Sequence, residues 1–156
     1  MTPAALVVVL ASNSEGTDPI GDWDGAGNAS HDGYFRYDET LGGEVWQAFR
    51  LRNEAEDSVT IELFETWTDG GLDWDLDSCG AAIVLAPGED CEIRSTWNTA
   101  ETSYQQAEVI VHSDDAERPE ISIVVSAEGL EDEGCSTVPG PAWLAWLAIV
   151  GLRRKL

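Results

Sequence analysis

The chain has 156 residues and carries 30 acidic against 8 basic side chains, a formal net charge of −22 at neutral pH. This length allows one domain of ordinary size with extensions. So acidic a chain repels nucleic acid, and the sequence shows no basic patch with interleaved aromatic residues, so no nucleic-acid partner is expected. The hydrophobic share of 43% is too high for a disordered chain, and we therefore expect a folded core.

An apolar run at residues 4–11 opens the chain. No basic residue precedes it and no good cleavage site follows it, so it is a weak signal peptide. Residues 5–19 instead parallel residues 107–119: each has a strand-like run, a Ser-Asn or Ser-Asp turn and a polar loop with proline. We therefore expect residues 1–28 to be the last strands of a preceding repeat, with the export signal upstream.

Residues 33–129 alternate between apolar and polar side chains over short runs, with a Pro-Gly turn at residues 86–90 and no convincing helix. About seven strands at a spacing of roughly 10–15 residues are typical of an all-β, immunoglobulin-like β-sandwich. The positions predicted to face the core are Phe49, Leu51, Val59, Ile61, Leu63, Leu72, Trp74, Leu76, Cys91, Ile93, Trp97, Val109, Val111, Ile121, Ile123 and Val125.

Each tryptophan could either pack in the core or form an exposed surface on which a ligand stacks. Trp67, Trp74 and Trp97 are in phase with aliphatic residues, which favours burial. Trp46 is out of phase with Phe49, so we expect it to be exposed. An exposed indole on a β-sandwich can stack on a sugar, so a carbohydrate-binding module is the alternative reading.

Three alternating aspartates, Asp73, Asp75 and Asp77, are predicted to share one face of a strand. A calcium ion needs several oxygens converging in one shell. The run lacks the glycine and the distal glutamate of a calcium loop, and charged edges also block sheet-to-sheet aggregation. A solvated face is therefore favoured, calcium is the weaker alternative, and no cofactor is expected.

The sequence has three cysteines. An odd count in an exported protein indicates one pair and one residue left over. Cys79 and Cys91 lie close together in the strand-rich region, and we predict that they form a disulfide. Their spacing is not that of a CxxC redox or metal pair, and Cys135 stands alone beside an apolar tail.

Motifs of catalysis are absent from the sequence: there is no Gly-x-Ser-x-Gly, no His-Glu-x-x-His and no phosphate loop. His112 lies beside Ser113 on a predicted strand, where an exposed histidine is the ordinary expectation. We therefore predict no catalytic residues and a protein that is not an enzyme.

The C-terminal residues read as a linker with a cysteine motif at 130–141 and a short hydrophobic helix at 142–156. The uncharged run of residues 142–152 is shorter than the roughly 20 residues of a stable span. It has the length of a sorting signal. The alternative is an amphipathic helix docked on the domain. The basic end consists of Arg153, Arg154 and Lys155.

This tail resembles the MYXO-CTERM class of bacterial sorting signals. The matching features are Gly134-Cys135-Ser136, the apolar run and the basic end. The resemblance implies export in a Gram-negative bacterium, cleavage near Cys135 by a membrane protease, and attachment to the cell surface through the modified cysteine. The membrane and the processing protease are then partners of the tail.

A second resemblance covers the strand-rich region. It is similar to the choice-of-anchor D repeat, which belongs with the ASH/Hydin and major-sperm-protein type of Ig-like domains. The resemblance implies an extracellular, non-enzymatic module, often in tandem. The matching residues are Leu51-Arg-Asn53, Cys79, the segment Leu85 to Ile93, Ala107 to Asp114, Pro119 and Glu128-Gly129.

Taken together, these features predict a cell-surface or secreted Ig-like module with a structural or adhesive role. Its expected partners are other Ig-like repeats, or a surface protein or glycan. The alternative function is a carbohydrate-binding module appended to a secreted enzyme.

Overall fold

The structure is a computed structural model that describes residues 6–16, 19–25, 32–38, 43–80, 82–100 and 103–129. These residues form ten β-strands and one short 3-10 helix, Asp77–Cys79. The strands are β1 (Leu6–Asn13), β2 (Gly21–Asp24), β3 (Gly33–Tyr37), β4 (Glu44–Asn53), β5 (Val59–Thr68), β6 (Leu72–Asp75), β7 (Ile83–Leu85), β8 (Asp90–Asn98), β9 (Gln105–Ser113) and β10 (Glu120–Ala127).

Two sheets face each other across one core. The four-stranded sheet has the order β1-β4-β8-β6 and the six-stranded sheet the order β2-β3-β10-β9-β5-β7. β3 and β10 run parallel, and the other pairs are antiparallel. The prediction of an all-β, Ig-like sandwich is therefore confirmed. The seven predicted strands correspond to β4–β10, and the sequence analysis did not identify β3.

The boundary predicted at residue 28 is corrected by the pairing of the first two strands. β1 pairs with β4 from Leu6 opposite Asn53 onward, and β2 pairs with β3. Leu6 and Ile20 are buried in the same core as the later strands. Both strands therefore belong to this sandwich.

The core follows the period-two alternation of the sequence. Phe49 and Leu51 of β4 are fully buried, while Arg50 and Arg52 between and after them are exposed. Aromatic rings from both sheets meet at the centre. The ring centroids of Phe35 and Phe49 lie 5.6 Å apart with planes at 86°, an edge-to-face arrangement that favours aromatic pairs.

A β-bulge in β5 interrupts this alternation. Ile61 pairs with Ser113 of β9, but Leu63 pairs with His112, so Glu62 is one residue too many for the ladder. An extra residue in a strand shifts every later side chain to the opposite face. Phe64 therefore packs against the core, whereas Leu63 is exposed, which corrects the prediction that Leu63 is a core residue.

The predicted disulfide is present and buried. Cys79 ends the 3-10 helix, Cys91 lies in β8, and their Cα atoms are 5.1 Å apart. Between them the chain leaves the four-stranded sheet, adds β7 to the six-stranded sheet and returns. The cross-link therefore closes a segment in which the chain leaves the four-stranded sheet and returns to it.

Tyr37 carries its hydroxyl group into the core. Its Oη donates to the Ser95 carbonyl oxygen at 2.7 Å and also contacts Ser95 Oγ, while Trp97 packs against the ring. Burial raises the pKa of Tyr37 well above its ordinary value near 10.0, and the Ser95 hydrogen bond offsets only part of that effect. This polar bridge joins β3 of one sheet to β8 of the other.

The predicted linker and tail, residues 130–156, lie outside the described residues, and with them Gly134, Cys135, Ser136, Arg153, Arg154 and Lys155. Within the part of the chain that the structure describes, no helix is long and apolar enough to cross a membrane.

Loss of the disulfide is expected to lower the free energy of unfolding by about 3 kcal/mol, since a loop of this length is then no longer closed in the unfolded chain. Urea denaturation of the Cys79→Ala/Cys91→Ala variant measures this value. Cys135→Ser is the matched control and should leave stability unchanged. Two free thiols at positions 79 and 91 in the oxidised protein would contradict the assignment.

Stability is expected to fall as the pH rises above about 10. Tyr37 ionises near pH 10 in the unfolded chain but only at higher pH in the core. The unfolded state therefore binds fewer protons there, and unfolding is favoured by up to about 1.4 kcal/mol per pH unit. Urea denaturation between pH 8 and 11.5 measures the slope. Tyr37→Phe should flatten it more than Tyr104→Phe, and equal slopes in all three proteins would contradict this account.

Candidate functional site

His112 and Ser113, which are neighbours in β9, lie on opposite sides of the six-stranded sheet. The strand alternation sends His112 to the outer side of the six-stranded sheet and Ser113 to the core side. Ser113 Oγ donates a hydrogen bond to the Arg118 carbonyl oxygen at 3.4 Å, and this bond stabilises the turn before β10. His112 lies between two carboxylates, with Nε2 3.2 Å from Glu65 and Nδ1 3.4 Å from Glu120. Ser113 therefore points away from the imidazole of its neighbour His112.

The three aspartates considered for calcium do not share one strand face. β6 ends at Asp75, and Asp77 begins the 3-10 helix, so the predicted strand geometry is corrected. Asp73 Oδ1 accepts from the Trp74 backbone N–H at 2.8 Å, and Asp75 Oδ1 accepts from that of Asp77 at 3.0 Å. Within the described ranges, no three His, Cys, Asp or Glu side chains form a group able to hold a metal ion.

Trp46, the residue on which the carbohydrate alternative depends, lies half-buried on the outer side of the four-stranded sheet. The Arg94 guanidinium carbon stands 4.6 Å from the ring centroid. Arg94 Nε in turn donates to Glu92 Oε1 at 2.9 Å. One face of this indole is therefore already covered by a cation that the same sheet supplies.

Trp67 is the exposed indole of this domain. Its side chain is 55% exposed, whereas Trp97 is fully buried and Trp74 half-buried. The prediction that Trp67 lies in the core is therefore wrong. Trp67 follows the bulge at Glu62, so it points away from the core together with Leu63.

Trp67 is one of four large exposed side chains that lie on or beside the six-stranded sheet. These apolar or aromatic side chains are between 48% and 56% exposed, and we call them the aromatic face: Leu63, Trp67, Val84 and Tyr104. The half-buried Tyr34 adjoins Tyr104. Burial and this neighbour raise the pKa of Tyr104, while Ser126 and Arg36 oppose the rise.

Carboxylates surround the aromatic face. Glu108 of β9 is the cross-strand partner of Trp67 and accepts a hydrogen bond from Ser122 Oγ. Glu65 lies between Leu63 and Trp67 on β5, with its side chain 60% exposed. Directly paired side chains on one face of a sheet have Cβ atoms about 5 Å apart. The indole of Trp67 therefore has carboxylates on two sides.

One signal in the sequence could have located the aromatic face. Leu63 and Phe64 are adjacent apolar residues in a strand that otherwise alternates. Two neighbouring apolar residues cannot both face the core of a regular strand, so one of the two had to be exposed or the strand had to contain a bulge.

No family model matches this chain, and no curated protein matches it. Solved structures do resemble it. A protein of unknown function from Porphyromonas gingivalis W83 has a TM-score of 0.52 and 16% identity, with 82% of this chain and 49% of that chain covered. The secreted serine protease VesC from Vibrio cholerae has a TM-score of 0.47 and 13% identity over 63% of this chain and 22% of its own.

A third similar structure is the ASH/PapD-like domain of human CEP192, with a TM-score of 0.44 and 11% identity over 75% of this chain and 92% of that domain. The chain thus spans less than half of the Porphyromonas and Vibrio structures but most of the human domain. At these identities the likeness concerns the fold alone, an Ig-like β-sandwich.

Replacing Trp67 is expected to cost little stability. Trp67→Ala should change the free energy of unfolding by no more than about 0.5 kcal/mol, because the side chain is exposed. Trp97→Ala should cost about 3–5 kcal/mol, since it leaves a large cavity in the core. Urea denaturation of both variants provides the comparison. A Trp67 variant as unstable as the Trp97 variant would place Trp67 in the core after all.

Proposed function

We propose that this chain is a non-enzymatic Ig-like module of an exported protein, with a structural or adhesive role at the cell surface. Its C-terminal segment acts as a sorting signal of the MYXO-CTERM type, which a membrane protease cleaves near Cys135. The host is a Gram-negative bacterium, and the processed cysteine attaches the module to the outer surface.

The observation that carries this proposal is the buried disulfide. Disulfides form and persist in oxidising compartments and are rare in the reducing cytosol. Cys79 and Cys91 are both buried and link the 3-10 helix to β8. A buried cross-link of this kind supports the proposal that the protein functions outside the cytosol.

The charge of the chain supports the same role. The net charge of −22 keeps copies of an exposed protein apart and soluble. The described side chains form a continuous sandwich core with an exposed aromatic face, which suits a module that binds through its surface.

For the alternative function, carbohydrate binding, Trp67 is a better stacking surface for a sugar than Trp46. Arg94 covers one face of Trp46, whereas Trp67 is exposed beside carboxylates. A sugar-binding role would therefore rest on Trp67, and acidic glycans would be repelled there by Glu65 and Glu108.

Expression from its own locus tests the proposed export and processing. An antibody against the sandwich should label intact cells, and the surface form should have lost the mass of the residues after the cleavage site. Cys135→Ala should retain the full tail and fail to reach the surface. Full-length protein confined to the cytosol would refute the proposal.

A further inference from the structure

The exposed apolar side chains of this domain are concentrated on one side. Five large hydrophobic residues of the described segments are strongly exposed, and four of them form the aromatic face. The fifth, Val9, lies on β1 of the other sheet. Single exposed apolar residues are ordinary, but their concentration on one sheet indicates an interaction surface. Trp and Tyr are also the residues that most often dominate the energy of such surfaces.

The opposite sheet shows how this domain covers an indole on its outer side. There Arg94 stacks on Trp46 at 4.6 Å and is held by Glu92 through a hydrogen bond of 2.9 Å. An indole, a guanidinium and a carboxylate form one unit. The guanidinium is attracted to the π-face of the ring and to the carboxylate at the same time.

Trp67 has two parts of this unit. Glu108 stands directly opposite it on β9, and Glu65 is two residues before it on the same side of β5. Among the described residues, no guanidinium stands over the Trp67 ring. The aromatic face therefore presents an indole with two neighbouring carboxylates, whereas on the other sheet Arg94 stands between Trp46 and Glu92.

We propose that the aromatic face binds a basic segment of a partner protein, with an arginine side chain stacked on Trp67 and paired with Glu65 and Glu108. Leu63, four residues before Trp67 on the same side of β5, then contacts an apolar residue on one side of this arginine. The inference deepens the proposed adhesive role, since it identifies the face and the chemistry of the partner.

Charge complementarity selects this partner over a second copy of the chain. Four arginines of the sandwich already form ion pairs: Arg36 with Glu128, Arg50 with Asp90 and Glu92, Arg94 with Glu92, and Arg118 with Asp32. A second copy would bring a net charge of −22 against carboxylates. Like charges brought together at an interface are strongly unfavourable.

A labelled peptide tests the proposal on the full chain. The probe is fluorescein-Gly-Leu-Arg-Val-Arg-Leu-Gly, and its match replaces both arginines with citrulline, which has the same shape without the charge. Fluorescence anisotropy is measured at 150 mM NaCl, where attraction beyond about 8 Å is largely screened. The proteins are wild type, Trp67→Ala, the double variant Glu65→Gln/Glu108→Gln, and the control Trp46→Ala.

The arginine peptide is expected to bind wild type about tenfold more tightly than the citrulline peptide. Trp67→Ala and the double glutamine variant should each weaken binding by at least about fivefold, and Trp46→Ala by less than about twofold. The glutamine variant keeps the test decisive should Trp67→Ala fail to fold.

Equal binding by all four proteins would mean general attraction to an acidic chain and would overturn the proposal. Equal binding of both peptides would show an apolar contact without a cation, and would overturn it too. Displacement of the peptide by a neutral xylan or glucan oligosaccharide that binds through Trp67 would assign the face to a glycan instead. None of these results bears on export, which the localisation experiment tests separately.

Discussion

The extra residue in β5 decides what this domain presents to its surroundings. A sheet that packs on one side fixes which alternate residues are buried, so a single inserted residue reverses the assignment for the rest of the strand. Glu62 is that residue, and beyond it Phe64 joins the core while Leu63 and Trp67 reach solvent. Without the insertion the outer side of the six-stranded sheet would lack its largest side chain. The sandwich holds the strands in place, and the bulge turns Leu63 and Trp67 toward solvent.

Most of the few arginine side chains of the domain form ion pairs within it. Four of the five arginines in the described residues lie near carboxylates, as in the contacts of Arg94 with Glu92 and of Arg118 with Asp32. These pairs are partly exposed and contribute little to stability individually. Their effect is to fix long side chains, as Arg94 is fixed over Trp46. The remaining carboxylates give the molecule a strongly negative surface, which any partner of the aromatic face has to match.

Much of the fold could be predicted from the sequence, since the alternating apolar positions of β4, β8, β9 and β10, such as Phe49, Ile93 and Val111, are buried as expected. The cysteine pair was predicted from the number and spacing of the cysteines. The exposed indole was not, because a period of two extrapolated from Val59 and Ile61 carries Trp67 inward. β3 was also missed, since its aromatic run Gly33–Tyr37 is too short to show its period clearly. The pairing of β1 could not be predicted, because periodicity reveals a strand but not its neighbour.

The parallel pairing of β3 with β10 has a consequence for the order in which the domain folds. Gly33 pairs with Ile123 and Arg36 with Ser126, so these contacts join early and late parts of the chain. Non-local pairings of this kind slow folding, because a long loop must close before they form. During synthesis, the six-stranded sheet cannot be completed before the chain has grown past residue 126. The short loop between Cys79 and Cys91 needs no such long-range closure. Once the chain is in an oxidising compartment, the cross-link can therefore restrict a still incomplete sandwich to the native crossover.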